Sequence, residues 1–284
     1  MDGDQLTSTD LAAHTALTRL WLFDNQLTSF DFSANTSLEL LVLNGQLTSI
    51  DLSANTALTR LWLSDNQLSS IDVSANTALE ELALDGNQLT SIDLSANSAV
   101  ELLVLDGNQL SSIDLTANPA LTRLWLFDNQ LTAIDLSANT VLERLALDGN
   151  QLASIDVSTN TALENLTLDG NQLSSIDLFA NAALDRLMLG NNQLTSIDLS
   201  TNTALEWLAL DGNQLTSIDL SANTALEHLI LHDNQLTSID LSNNRFLRQV
   251  TLEGNPNITC SDIQAIEEQY PDLQLSHSAA DCGN

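Results

Sequence analysis

The sequence predicts a solenoid of mainly β-structure, in which one short strand from each repeat joins a common parallel sheet. Two observations predict this fold class. A 21-residue pattern recurs along nearly the whole chain, and leucines alternate with other residues in the first part of each copy. A fixed period of this length is typical of stacked repeats that bury their apolar sides against one another.

The repeat reads LxxLxLxxNQLxSIDLSANTA. Successive copies start at a constant spacing, except for one interval that is a single residue shorter. Residues 17–255 are therefore predicted to form twelve repeats, and residues 1–16 a partial repeat or a crude cap. The copies start at Leu17, Leu38, Leu58, Leu79, Val100, Leu121, Leu142, Leu163, Leu184, Leu205, Leu226 and Leu247.

The first half of each repeat, LxxLxL, has the alternation of a strand with one face inside. Stacked copies are expected to pair in parallel at about 4.8 Å per repeat. The second half, LxSIDLS, also alternates and is expected to be extended on the other side, since so short a repeat leaves no room for a long helix. The ninth-position asparagine (Asn66, Asn87 and equivalents from Asn25 to Asn255) is predicted to satisfy backbone groups at the turn and in the neighbouring coil.

The second repeat is the shorter one. It reads Leu43-Asn44-Gly45-Gln46-Leu47 where its neighbours have one more residue. This deletion predicts a local irregularity near Asn44, either a gap in the asparagine ladder or a tighter turn.

Periodicity ends after Asn255, and residues 256–284 are predicted to form a C-terminal cap. Ser261 or Asp262 can cap the N-terminus of a short helix that has Ile263 and Ile266 on one face. Leu273 and Leu275 then offer a short extended piece.

Both cysteines, Cys260 and Cys282, lie in this cap. A metal site needs more ligands than two thiolates, and His277 is the one nearby candidate. A structural disulfide is therefore favoured over a metal or redox pair. A disulfide indicates an oxidising compartment, so a secreted or cell-surface location is expected.

The twelve copies of LxxLxLxxNxL resemble the leucine-rich-repeat family over nearly the whole chain. The 21-residue length and the LxxIDLSxN half resemble the short bacterial IRREKO-type class, and the NPNxTC…DC ending resembles the caps of secreted bacterial members. The resemblance implies a right-handed superhelix with a concave parallel sheet, short extended segments on the convex side and a small cap helix.

The chain is strongly acidic, with a formal net charge of −31 and no lysine among its seven basic residues. Such a surface repels phosphate backbones and anionic lipids, so nucleic acid is not an expected partner. No apolar stretch reaches the length of a membrane span, so membrane insertion is not expected either. We expect a monomer.

The outward third, fifth and seventh positions of the repeats vary most. They hold all four tryptophans and five of the seven arginines, the residue types that dominate binding hot spots. Duplication of a Trp- and Arg-containing repeat, with arginines that merely neutralise nearby acids, is the alternative. The candidate binding residues are Arg19, Trp21, Phe23, Arg60, Trp62, Arg123, Trp125, Phe127, Arg144, Arg186, Met188, Trp207, His228 and His232.

An aspartate recurs at the same second-half position from Asp10 to Asp240, and this column is either a ladder for a cation such as calcium or a hydrated, solubilising edge. We favour the edge, because calcium takes six to eight oxygens, and we expect no cofactor. The column comprises Asp10, Asp31, Asp51, Asp72, Asp93, Asp114, Asp135, Asp156, Asp177, Asp198, Asp219 and Asp240.

No carboxylate or histidine is singled out for catalysis, so the chain is not expected to be an enzyme. The sequence favours protein or peptide recognition through the concave face. A carbohydrate-binding or adhesin domain, with Trp21, Trp62 and Trp125 as stacking platforms, and a passive spacer are the alternatives.

An acidic surface without lysine is common in proteins from salty habitats, and it generates a testable prediction. Salt screens repulsion among exposed carboxylates, because the Debye length falls from about 30 Å at 0.01 M to about 3 Å at 1 M. We expect the free energy of unfolding in urea to rise with added sodium chloride. Stability that is the same at low and high salt would show that the charge is not an adaptation to salt.

Overall fold

The computed structural model describes residues 11–23 and 28–278, and the chain forms two compact units, Met1–Leu142 and Glu143–Asn284. Each repeat contributes one strand of three or four residues, placed at the third to fifth positions as the pattern predicts. The N-terminal unit contains β1 (Arg19–Leu22), β2 (Leu40–Leu43), β3 (Arg60–Trp62), β4 (Glu81–Ala83), β5 (Leu102–Val104) and β6 (Arg123–Trp125). The C-terminal unit contains β7 (Arg144–Ala146), β8 (Asn165–Thr167), β9 (Arg186–Met188), β10 (Trp207–Ala209), β11 (His228–Ile230), β12 (Gln249–Thr251), helix α1 (Cys260–Gln269) and β13 (Gln274–Ser276).

Within each unit, every strand pairs in parallel with the next one along the chain. The register places fourth-position leucines side by side, for example Leu61 beside Leu82 and Leu208 beside Leu229. These leucines are fully buried, while the third and fifth positions point outward. The alternation in LxxLxL therefore translates directly into an inner and an outer side of the sheet.

The core consists of columns of aliphatic side chains. In the third repeat, Leu58, Leu61, Leu63 and Leu68 are all fully buried, and the same positions are buried in the neighbouring repeats. Burying each leucine contributes about 1.5–3 kcal/mol relative to leaving it in water. Since every coil fills equivalent slots, the core needs few aromatic residues.

The ninth-position asparagines form the predicted ladder. The Nδ2 of Asn87 donates to the carbonyls of Leu63 and Leu84, both at 2.9 Å, and its Oδ1 accepts from the Leu68 N–H at 3.0 Å. One amide thus satisfies backbone groups in its own coil and in the preceding coil. Asn25, predicted as an earlier member, lies outside the described residues.

A second ladder, which the sequence analysis missed, runs through the asparagine of the SANTA segment. The Nδ2 of Asn97 donates to the carbonyls of Val73 at 3.0 Å and Asn76 at 2.9 Å, both in the preceding coil. Asn97 is completely buried, and its Oδ1 has no hydrogen-bond partner. The invariant Asn at this position of the repeat was the available signal.

The second half of the repeat contains turns and no regular strand in the described ranges, apart from one isolated parallel bridge between Asp31 and Asp51. In each described repeat the column aspartate accepts the N–H two residues later, as Asp93 does from Ser95 at 2.9 Å. This local bond favours a turn over continued pairing.

The irregularity predicted near Asn44 is confirmed. Gly45 has φ 152°, whereas Gly86 and Gly107 in the following repeats have φ 65° and 62°. The deletion removes one residue between Leu43 and Leu47, so the Asn-Gln-Leu of the neighbouring repeats is Gly45-Gln46-Leu47 here. The next member of the ladder, Asn66, still donates to the Leu43 carbonyl at 3.0 Å, so the deletion is absorbed within one turn.

The predicted cap helix exists, but its N-cap is Thr259 and the expectation of Ser261 or Asp262 was wrong. Asp262 is instead the third helical residue. Its carboxylate accepts the Thr259 N–H at 2.9 Å, while the Thr259 side chain accepts the N–H of Asp262. This reciprocal pair satisfies two N-terminal donors, so the helix starts earlier than a lone cap would place it.

The rest of the cap follows the sequence pattern. Ile263 and Ile266 are buried, and the Tyr270 hydroxyl donates to the Leu241 carbonyl. The last strand, β13, pairs in parallel with β12, with Leu275 beside Val250. Cys282 lies outside the described residues, so its bridge to Cys260 remains a prediction.

The two ladders are expected to differ in strength. Asn108→Ala removes three donated bonds and leaves the buried Leu89 N–H without its acceptor, which costs roughly 2 kcal/mol or more. Asn97→Ala removes two donated bonds but also a buried oxygen that has no partner, so its cost is smaller.

Urea unfolding of the two variants measures this difference. The exposed Gln109→Ala is the control and should change stability by less than about 0.5 kcal/mol. Equal losses for Asn108→Ala and Asn97→Ala would contradict the unequal roles of the two ladders.

Candidate functional site

The predicted binding residues lie on the outward side of the strands or just after them. We define the N-terminal strand face as the third-, fifth- and seventh-position side chains of residues 17–142, and the C-terminal strand face as the same positions of residues 143–255.

The fifth positions of the N-terminal strand face form a row of apolar side chains. The register orders it as Trp21, Val42, Trp62, Ala83, Val104 and Trp125. Trp21 is 41% exposed and Trp62 is 38% exposed, while Val42 between them is buried. Trp125 is half-buried. The row is therefore a continuous apolar strip in which the indole rings stand out.

The third positions place arginines beside this strip. Arg19 is exposed and Arg123 is half-buried. The Nε of Arg60 lies 3.4 Å from Oε1 of Glu81, its register neighbour. Neutralisation of Glu81 thus explains this contact of Arg60, although a largely exposed ion pair of this kind contributes under about 1 kcal/mol to stability.

The seventh positions add a second aromatic edge. Phe127 is 40% exposed, and its N–H donates to Oδ1 of the buried Asp106 at 2.9 Å. This bond fixes the backbone that carries the ring. The Ser64 hydroxyl donates to Oδ1 of Asp85 at 2.6 Å in the same row. Phe23, at the other end of the row, is half-buried.

The C-terminal strand face has a three-membered stack along its third positions. The Arg186 guanidinium carbon lies 4.8 Å from the centre of the Trp207 ring, and Trp207 stacks on His228 at 4.4 Å between centroids. Trp207, His228 and His232 are all among the predicted binding residues. The structure joins the first two to Arg186 and places His232 in the seventh-position row. Arg144 is exposed at the start of this face.

The middle of the C-terminal strand face is apolar. Met188, Ala209 and Ile230 are register neighbours at the fifth position. Met188 and Ile230 are half-buried, and Ala209 is buried. This row separates the Arg–Trp–His stack from the seventh-position side chains.

The seventh positions of this unit form an acidic row. Asp148 is fully engaged, since Oδ1 accepts the Asp169 N–H at 2.7 Å and Oδ2 accepts the Thr167 hydroxyl at 2.5 Å. Asp169 in turn accepts the Gly190 N–H at 2.6 Å. Asp211 follows, with its Oδ2 3.7 Å from Nε2 of His232.

Gly190 lets two carboxylates of this row converge. A Cβ at this position would lie 2.8 Å from Oδ1 of Asp211, so a larger residue would displace that carboxylate. Burial raises the pKa of Asp169 to about 6, and the charges of Asp148 and Asp211 add to the effect. The place of Asp211 in this row was not predicted from the sequence. The signal was an Asp column interrupted by a single glycine.

The aspartate column of the second half has a different environment. Hydrogen bonds from the backbone and side chain of Ser200 keep the pKa of Asp198 below its ordinary value, and Ser221 does the same for Asp219. Within residues 11–23 and 28–278, no group of three or more His, Cys, Asp or Glu side chains is arranged to hold a metal ion. No helix in the described part of the chain is long and apolar enough to cross a membrane.

The parallel strands, leucine columns and asparagine ladder define a leucine-rich-repeat fold. A family model described as leucine-rich repeats (2 copies) matches residues 56–97. No curated protein matches the chain.

Solved structures show the same fold. The functional domain of InlJ from Listeria monocytogenes is 28% identical with a TM-score of 0.72, and the match covers 89% of this chain and 66% of that one. A leucine-rich-repeat protein of Leptospira interrogans is 24% identical with a TM-score of 0.89, over 94% of this chain and 74% of that one. A chain from the octameric complex of Latrophilin 3, Unc5D and FLRT2 (LRR) is 25% identical with a TM-score of 0.69, over 96% and 87%.

The environment of Asp169 predicts an unusual pH dependence. Its folded-state pKa, about 6, is above the ordinary 3.8. Its contribution to stability is therefore fully present below about pH 3.8 and is lost as the pH rises through 6. Relative to the wild type, Asp169→Asn should become more stable as the pH rises from 4 to 7.5, as measured by thermal unfolding.

Asp198→Asn is the matched control, because its carboxyl has a lowered pKa. This variant should keep a nearly constant stability relative to the wild type over the same rise in pH, because the contribution of a carboxyl with a lowered pKa is already present above about pH 3.8. Parallel pH profiles for the two variants would rule out the difference in environment.

Proposed function

We propose that this chain is a non-catalytic binding module that recognises a protein or peptide through its N-terminal strand face. The observation that carries the proposal is the group of exposed aromatic rings, Trp21, Trp62 and Phe127, beside third-position arginines on one side of the sheet.

The fold does not need these rings. Val42, Ala83 and Val104 occupy the same row and pair in the same register as the tryptophans. A tryptophan that is more than a third exposed leaves much apolar surface in water. Burial of that surface against a partner stabilises a complex more than the partial burial of the ring stabilises the free fold. Buried in an interface, such rings provide large contact areas at low cost in side-chain entropy.

The similarity to known proteins agrees with this function. Leucine-rich-repeat proteins are typically protein–protein interaction modules, and one similar chain comes from a complex that contains FLRT2 together with other proteins. By the same analogy, and on the predicted Cys260–Cys282 bridge, we infer that the chain acts outside the cell or at its surface.

Carbohydrate binding is the second candidate, and one observation favours it. Trp21 and Trp62 stand on strands separated by one other strand, at about 9–10 Å, and both rings are exposed. Exposed indoles at such a spacing are suitable for stacking on sugar rings. A passive spacer, in contrast, would need neither ring.

A peptide selection and a glycan array with matched variants test the proposal. Peptides selected from a random phage library on the wild type should bind Trp62→Ala at least tenfold more weakly, as measured by calorimetry. Phe179→Ala, which removes a ring that is 73% exposed but lies in the second half of a repeat, should bind them unchanged.

Three other outcomes would overturn or redirect the proposal. Glycan hits that Trp125→Ala abolishes, without peptide hits, would establish the carbohydrate function. Peptides that bind Trp62→Ala and Phe179→Ala equally would place the interface elsewhere. If neither peptides nor glycans bind, and circular dichroism shows that all variants are folded, the chain would be interpreted as a passive spacer.

A further inference from the structure

The C-terminal strand face, as defined by its third, fifth and seventh positions, carries its arginines and its carboxylates on opposite edges. Its third-position edge carries Arg144 and Arg186, and its seventh-position edge carries Asp148, Asp169 and Asp211. The two edges are four residues apart along each strand, or about 13 Å. In this unit the arginines of the strand face lie at the far edge from the seventh-position carboxylates, although Arg144 and Arg186 directly follow Glu143 and Asp185 along the chain.

The acidic edge is held in place by the fold. The backbone N–H groups of Asp169 and Gly190 bind the carboxylates of Asp148 and Asp169. Gly190 leaves room for Asp211 to approach the same point. Three carboxylates are thereby kept in one row although they repel one another, an arrangement that a cation from a partner would relieve.

Between the two edges lies the apolar row of Met188, Ala209 and Ile230. Its outward side is not covered by another layer of secondary structure in the described part of this unit. Beside it, the buried Nε1 of Trp207 and Nδ1 of His228 have no hydrogen-bond partner. The face therefore offers apolar contact and polar edge groups together, as interfaces do.

We propose that the C-terminal strand face docks a basic segment of a partner protein, which lies across the strands with Lys or Arg side chains over Asp169 and Asp211 and apolar side chains on Met188 and Ile230. The proposal extends the proposed protein-recognition function to a second surface with a stated chemistry. Charge complementarity selects the occupant, because a chain with a formal net charge of −31 attracts a basic partner at long range.

The apolar row distinguishes this docking from simple attraction to an acidic protein. A long-range field would attract a basic segment anywhere, including to the second-half aspartates. Binding on the strand face instead requires apolar side chains in register with Met188 and Ile230. Both kinds of side chain must therefore contribute to affinity.

Calorimetry with a synthetic peptide of alternating arginine and leucine provides the test, with a glutamate–leucine peptide as the charge-reversed control. The Asp169→Asn/Asp211→Asn double variant should bind the basic probe at least tenfold more weakly than the wild type. The matched control, Asp198→Asn/Asp219→Asn, removes the same charge from the second half of the same unit and should change affinity less than twofold.

Further variants locate the probe and separate the two proposals. Met188→Asp should also weaken binding at least tenfold, and the Trp207 indole N–H resonance should shift on addition of the probe. The Trp21/Trp62/Trp125 triple alanine variant should bind this probe as the wild type does, even if it no longer binds the peptides selected for the N-terminal strand face.

Equal losses in the two Asp→Asn double variants would show nonspecific attraction and overturn the inference. So would unchanged binding by Met188→Asp or an unshifted Trp207 resonance. Circular dichroism of each variant verifies that it is folded. Met188→Leu, which keeps the apolar row, should bind the basic probe as tightly as the wild type does.

Discussion

The structure depends on buried asparagine amides that complete the backbone hydrogen bonds of successive coils. A coil as short as this one turns too sharply to satisfy its own peptide groups. In the interior an unmatched N–H or carbonyl costs about as much as the burial of a leucine gains. Asn87, which contacts two coils through four hydrogen bonds, removes that cost and sets the register at once. The leucine columns then fill the space that the amides define.

Because asparagines complete the backbone hydrogen bonds and leucines fill the core, the side chains on the outer side of the strands can vary. Neither the ladders nor the core requires one particular side chain at the third and fifth positions, so tryptophan, alanine and threonine occur there in equivalent strands. The two faces differ accordingly, although one backbone unit builds both. One displays an aromatic strip with arginines, and the other displays an apolar row between basic and acidic edges. Recognition can thus change without a change of fold.

Much of the fold could be predicted because the pattern recurs in many copies, so that a departure in one copy does not obscure it. Twelve copies of LxxLxL identify the strands, and the ninth-position asparagine identifies the turn. The second asparagine ladder was missed because SANTA resembles an ordinary polar turn, and burial of its Asn is a property of the stacked coils. The N-cap was misplaced for a related reason, since Thr259 and Asp262 act as a pair.

The candidate sites were less accessible to sequence. Columns identify which side chains share a face, and they placed Arg186, Trp207 and His228 correctly. They do not show which groups touch. The convergence of Asp169 and Asp211 depends on the missing side chain of Gly190, a contact between coils that no local pattern encodes.

The ladders also give the chain a direction. Within each unit, described ninth-position asparagines accept the amide of the coil before them, as Asn108 does for Leu89. A coil is therefore complete only when its successor is in place. On a ribosome, each repeat would wait for the next repeat to emerge before its hydrogen bonds close. Formation of the hydrogen bonds would then follow synthesis one coil behind, and the last coil would be completed when the C-terminal cap folds onto it.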